Sequence, residues 1–177
     1  MRYAAVFAVA LSAGSQMLPA KAPVPRPAKE FICSDAAGKK IALSSYKGKV
    51  LVVQFLSTTC SHCQAFSQLL TKLQAEYGPK GFQAVGVAFN EADAAMVRSY
   101  VEDHHIGIPV GFAPRGDVLG YLGVSVMDPG LRVPQVVVID RAGQVRAQSD
   151  VGGTRELTEE SSLRALIGRL LATPAAK

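Results

Sequence analysis

The sequence has no tryptophan, three cysteines in 177 residues, and only 19% charged residues. Three cysteines are too few for a disulfide-stapled mini-fold, and an odd count leaves one thiol outside any intramolecular pair. There is no second Cys-x-x-Cys and no His-x-x-x-His, so half the ligands of a closed zinc site are missing. No apolar run reaches the ~20 residues that a membrane-spanning helix needs. Neither sign of charge dominates: 19 Lys and Arg against 14 Asp and Glu give +5, a mild excess that does not point to nucleic acid. Apolar residues are plentiful at 49%, which excludes general disorder, and the length suits one domain with its own core.

Some of that apolar content lies outside any core. Arg2 precedes a short run of small and branched apolar residues ending near Gly14, and Ala20 and Ala22 suit a signal-peptidase pocket. Pro19, Pro23, Pro25 and Pro27 follow, which no buried helix would tolerate. Residues 1–20 are therefore read as an export signal, or a membrane tether if uncleaved. Residues 21–29 read as a stiff Pro-rich linker, residues 30–172 as the domain and residues 173–177 as a disordered tail.

Within the domain, strands and helices alternate. Val50–Leu56 is almost continuously apolar and β-branched, the pattern of a strand buried on both faces. Ser57, Thr58 and Thr59 are good caps for the helix that follows. That helix carries Phe66, Leu69, Leu70, Leu73 and Tyr77 on one face and closes at Gly78-Pro79. Residues 82–89 form a second central strand. Asn90 and Asp93 resemble a capping box for a helix running to about Val101. A short strand at 109–112, a turn at Pro114–Gly116, an apolar strand at 135–140 and a hairpin partner at 144–149 come next. Leu163, Leu166, Ile167, Leu170 and Leu171 mark a last helix. The order implies an α/β sandwich, a mixed sheet with helices on both faces.

Cys60-Ser61-His62-Cys63 falls where the buried strand gives way to the helix. Free N–H groups and the positive end of the helix dipole favour a thiolate there, and the thiolate is the nucleophile of thiol–disulfide exchange. The spacing lets both sulfurs share one turn. Cys60 is expected to be the exposed attacking thiol and Cys63 the buried one that resolves the mixed disulfide. An inert structural disulfide is the main alternative, though so small a loop constrains the unfolded chain little. His62 either donates a hydrogen bond or charge to the thiolate, making the disulfide more oxidising, or is simply solvated. Thr59 stands before Cys60 where an aromatic would form an apolar lid. Cys33 is the remaining thiol, a small buried hydrophobe or a redox partner.

Phe31-x-x-x-Asp35 with Gly38, the run Leu43–Lys49 before the buried strand, the Cys60–Cys63 motif, and Val133-Pro134 leading to Asp140-Arg-Ala-Gly143 together resemble the exported TlpA-like thiol–disulfide oxidoreductases. That group has a thioredoxin fold and borders the AhpC/TSA superfamily. The resemblance covers about residues 28–171. It implies a thioredoxin-like three-layer sandwich, a cis Pro134 facing the cysteines, and a Val133 backbone that pairs with an extended substrate. It implies protein thiol or disulfide substrates, a membrane-bound thiol donor of electrons, no cofactor beyond a Cys60–Cys63 disulfide, no metal, no nucleic acid, and a monomer. Glu91 sits where some cytochrome-maturation members carry an acidic residue. It could accept the Cys63 proton if partly buried, or be an exposed first-turn carboxylate.

Two other readings stand beside this one. A peroxiredoxin-like antioxidant peroxidase would show Pro-x-x-x-Thr-x-x-Cys, whereas Val53 occupies the proline position and Ser57 the threonine position. A copper chaperone would use two thiols and a distant histidine; His104 and His105 are available, but the cysteine spacing does not suit it.

Overall fold

The structure, a computed structural model, describes residues 23–125 and 130–173. The expected export segment, residues 1–20, and all of the expected tail except Thr173 lie outside the described residues.

The elements run β1 (Arg26–Pro27), β2 (Ile32–Asp35), β3 (Lys40–Ala42), β4 (Val50–Leu56), α1 (Ser61–Tyr77), β5 (Phe82–Ala88), α2 (Ala94–Asp103), β6 (Val110–Phe112), α3 (Arg115–Leu122), β7 (Gln135–Ile139), β8 (Gln144–Gln148), α4 (Arg155–Thr158) and α5 (Glu160–Ala172). The strands form one sheet in the order β1-β8-β7-β4-β5-β6-β2-β3. β4 lies parallel to β5 and antiparallel to β7, so the sheet is mixed.

The apolar run of β4 is explained by its place. Strand side chains alternate between faces, and here both faces are covered. Val50, Val52 and Leu56 face one core with Phe66, Leu70 and Leu73 of α1, Tyr100 of α2 and Leu163 and Ile167 of α5. Leu51, Val53 and Phe55 face the other with Val118, Tyr121 and Leu122 of α3. Each such side chain contributes about 1.5–3 kcal/mol by leaving water. With β4 central, its C-terminal end and the start of α1 are held from both sides.

Four elements differ from the sequence expectation. The turn expected at Pro114 opens α3, with Pro114 as its N-cap; four of its side chains, Val118, Leu119, Tyr121 and Leu122, are buried, and that packing outweighs two helix-weakening glycines. Gly78 does not close α1 with a left-handed turn. It stays right-handed at φ −51° and leads into a 3₁₀ turn, Gly78–Lys80, that ends at Gly81 with φ 94°. α2 is capped by Asp93, whose Oδ1 accepts from Met96 N–H at 2.8 Å, and it runs two residues beyond Val101. Within the Pro-rich segment, Arg26 and Pro27 pair with Val145 and Gln144, which makes this stretch an edge strand of the sheet. A proline fits an edge because it need not donate to a ladder.

Candidate active site

None of Ser57, Thr58 and Thr59 caps α1. Cys60 itself is the N-cap, in extended conformation, and its Sγ accepts from Cys63 N–H at 3.4 Å. Thr58 braces the loop before it, and the Ser57 and Thr59 hydroxyls lie 3.1 Å from each other. Thr58 N–H donates to Asn90 Oδ1 at 3.2 Å, Asn90 Nδ2 donates to Thr58 Oγ1 at 3.1 Å, and Gln64 Nε2 donates to Thr58 O at 3.1 Å. Asn90 thus latches the end of β5 to the loop that delivers Cys60, a use its capping-box appearance concealed.

Both cysteines are free thiols, Cys60 half-buried and Cys63 buried. Burial pushes the Cys63 thiol far up from its usual range; its bond toward Cys60 adds to this, and the Ser57 backbone opposes it. Cys60 Sγ donates to Val133 O at 3.9 Å. Val133-Pro134 is a cis peptide bond, and it is the Val133 carbonyl that lies against the Cys60 sulfur.

His62 is exposed and lines a groove beside Cys60 together with Phe66, Leu69, Val133 and Pro134. Glu91 is exposed, at φ 57° in the loop between β5 and α2, so the burial its proton-accepting role required is lacking. Cys33 is buried in β2, with its thiol raised to about 11 by burial, and a Cβ on Gly111 would come within 2.6 Å of its Sγ. It fills a tight space rather than facing the other two. His104 is the C-cap of α2 and His105 follows it. Among the described residues no three of His, Cys, Asp and Glu gather as a metal set.

The residues the sequence reading missed lie under Cys63. Gln54 is fully buried in β4; its Nε2 donates to Cys63 O at 2.9 Å, and its Oε1 accepts from Ser67 Oγ at 2.7 Å. Tyr100 Oη lies 2.7 Å from Ser67 Oγ and donates to Cys63 O at 3.2 Å. Burial raises the Tyr100 phenol to about 12, so it stays a donor at neutral pH. Each side chain in this buried set has a hydrogen-bond partner within it, and such networks rigidify a site. Its signal was present: Gln54 is the one polar residue in the 50–56 run, and Ser67 interrupts the apolar stripe of α1.

Residues 24–148 match the AhpC/TSA family. Thiol-disulfide oxidoreductase ResA of Bacillus cereus is 28% identical over 140 residues, covering 79% of this chain and 77% of that protein. The ResA of Halalkalibacterium halodurans is 26% identical over 135 residues, 75% and 72% of the two chains. A thiol:disulfide interchange protein of the thioredoxin family from Chlorobium tepidum superposes with a TM-score of 0.68 at 27% identity, over 85% of this chain and 99% of that one. A thiol:disulfide interchange protein from Bacteroides sp., 20% identical, shares the fold with a TM-score of 0.69 over 87% and 93%. With the match extending from the sheet edge at β1 to the end of β8, the chain belongs to the AhpC/TSA family, as a thiol–disulfide oxidoreductase of the thioredoxin-like fold.

Proposed function

We propose that this chain is an exported protein disulfide reductase whose exchanging pair is Cys60 and Cys63. The observation that carries this reading is the contrast between the two thiols. Cys60 is open to a substrate and sits between Cys63 N–H and Val133 O, while Cys63 waits one turn behind, buried and protonated.

Cys60 thiolate attacks one sulfur of a substrate disulfide, the substrate S–S bond breaks, and the first substrate sulfur leaves and takes a proton. Cys63 loses its proton and attacks Cys60 Sγ. The Cys60–Cys63 disulfide forms, and the second substrate sulfur leaves as a thiol. Two electrons pass from the protein's dithiol to the substrate, and a membrane-bound thiol donor restores the dithiol. The electrons travel on sulfur throughout, so no organic cofactor or metal is needed. The Val133-Pro134 segment forms one wall of the substrate groove, His62 supplies an imidazole beside it, and a monomer suffices. The peroxidase reading would place a proline at Val53, which is instead a core side chain of β4.

The test is trapping. Cys63→Ala should accumulate mixed disulfides with exported proteins and lose insulin reduction; Cys60→Ala should trap nothing. Insulin reduction by Cys60→Ala at the native rate would overturn the assignment. A reductase should also show a potential nearer ~−270 mV than the ~−120 mV of a strong oxidant.

A further inference from the structure

The groove beside Cys60 has a volume of about 710 Å³ and an uneven charge. Phe66 and Leu69 give it an apolar side, and Arg132 and Arg155 stand on its rim. Both arginines are exposed, and among the described residues neither is held in an ion pair. The groove's carboxylate, Glu160, is already bound by Lys72 at 3.0 Å and Arg164 at 2.8 Å. The charge left for a ligand is therefore positive.

The two arginines are carried on loops tied to each other. Arg132 N–H donates to Val151 O at 2.8 Å. The buried Gln135 donates from Nε2 to Arg132 O at 2.7 Å and to Asp150 O at 2.9 Å. The segment holding Arg132, Val133 and Pro134 is thereby fixed to the loop that leads into Arg155. Cationic side chains carried on a braced backbone beside an apolar floor favour a chain with matching anionic groups.

We propose that this groove selects extended polypeptides whose reactive cysteine is flanked by acidic side chains, with Arg132 and Arg155 as the selecting groups. The proposal rests on the disulfide reductase reading and adds the charge class of the substrate. The chemistry is the exchange described above; the arginines act only on which disulfide reaches Cys60.

The experiment uses three disulfide-linked peptides identical except for Glu, Gln or Lys on both sides of the cysteine, with reduction rates measured for the dithiol protein. Exposed charges attract the Glu peptide at two sites and repel the Lys peptide at the same two, so the Glu peptide should react about tenfold faster than the Lys peptide at low salt. Near 1 M salt, where the screening length falls to ~3 Å, the ratio should shrink toward one. An Arg132→Glu/Arg155→Glu variant should invert the order, read as a ratio within that variant. Equal rates for the three peptides in the native protein would overturn the charge proposal and leave the reductase reading standing. No reaction with any peptide would overturn both. An unchanged ratio in the variant would overturn the assignment to these two arginines.

Discussion

Cys60 and Cys63 are separated by two residues but not by the same solvent. Cys60 is half-buried at the head of α1, while Cys63 has no exposed surface and its thiol is raised by burial. In the proposed cycle Cys63 must ionise before it attacks Cys60. With its folded-state pKa above the usual thiol range, the thiolate fraction is small at pH 7 and grows about tenfold per pH unit. The rate of mixed-disulfide resolution should follow that fraction. A mixed disulfide formed on the native protein should therefore release its partner progressively faster from pH 7 to pH 9, and Cys63→Ala should show no such acceleration. Rapid-mixing measurement of partner release checks this. A flat profile would mean that some other group takes the proton.

At the scale of elements, the site is a junction of β4, α1 and α2, fastened by Gln54, Ser67 and Tyr100. Replacing Gln54 with Leu keeps roughly the volume but removes the donor to Cys63 O and the acceptor for Ser67. Leaving such partners short of a bond costs about 1–3 kcal/mol. Urea denaturation should show a loss of that size for Gln54→Leu, and an unchanged midpoint would mean that water replaces the amide. This junction also shows what was readable in advance. β4, β5, β7 and the long helices were legible because their periodicities follow directly from burial on one or two faces. The Cys60–Cys63 position was legible because a buried strand ending at a Cys-x-x-Cys leaves few alternatives. Local rules failed where a residue had a distant partner. Asn90 looked like a cap but bonds Thr58, Ser57 to Thr59 looked like caps while Cys60 does the capping, and Pro114 looked like a turn until α3 found the second core.

For the whole molecule, the sheet is finished on one side by the segment that its prolines marked as a linker. β8 would be an open edge without β1, and an unpaired edge is a template for another chain. Arg26 and Pro27 cover it through their pairing with Val145 and Gln144; Ala28 N–H adds a bond to Gly143 O at 2.9 Å, and the Arg26 guanidinium bonds the buried Gln148 side chain. Gln148 also donates to Leu122 O at 2.7 Å, linking this edge to the end of α3. The cover is far from the cysteines, so its removal should act on stability and association, not on the exchange chemistry. A chain beginning at Lys29 should be about 1–3 kcal/mol less stable in urea than one beginning at Pro23, the scale expected when buried polar partners are lost. Sedimentation should also show concentration-dependent self-association of the shorter chain, as bare β8 edges pair. Identical midpoints and a monomeric short form would show that Arg26 and Pro27 lie against the sheet without supporting it, and the domain would then begin, for energetic purposes, at Glu30.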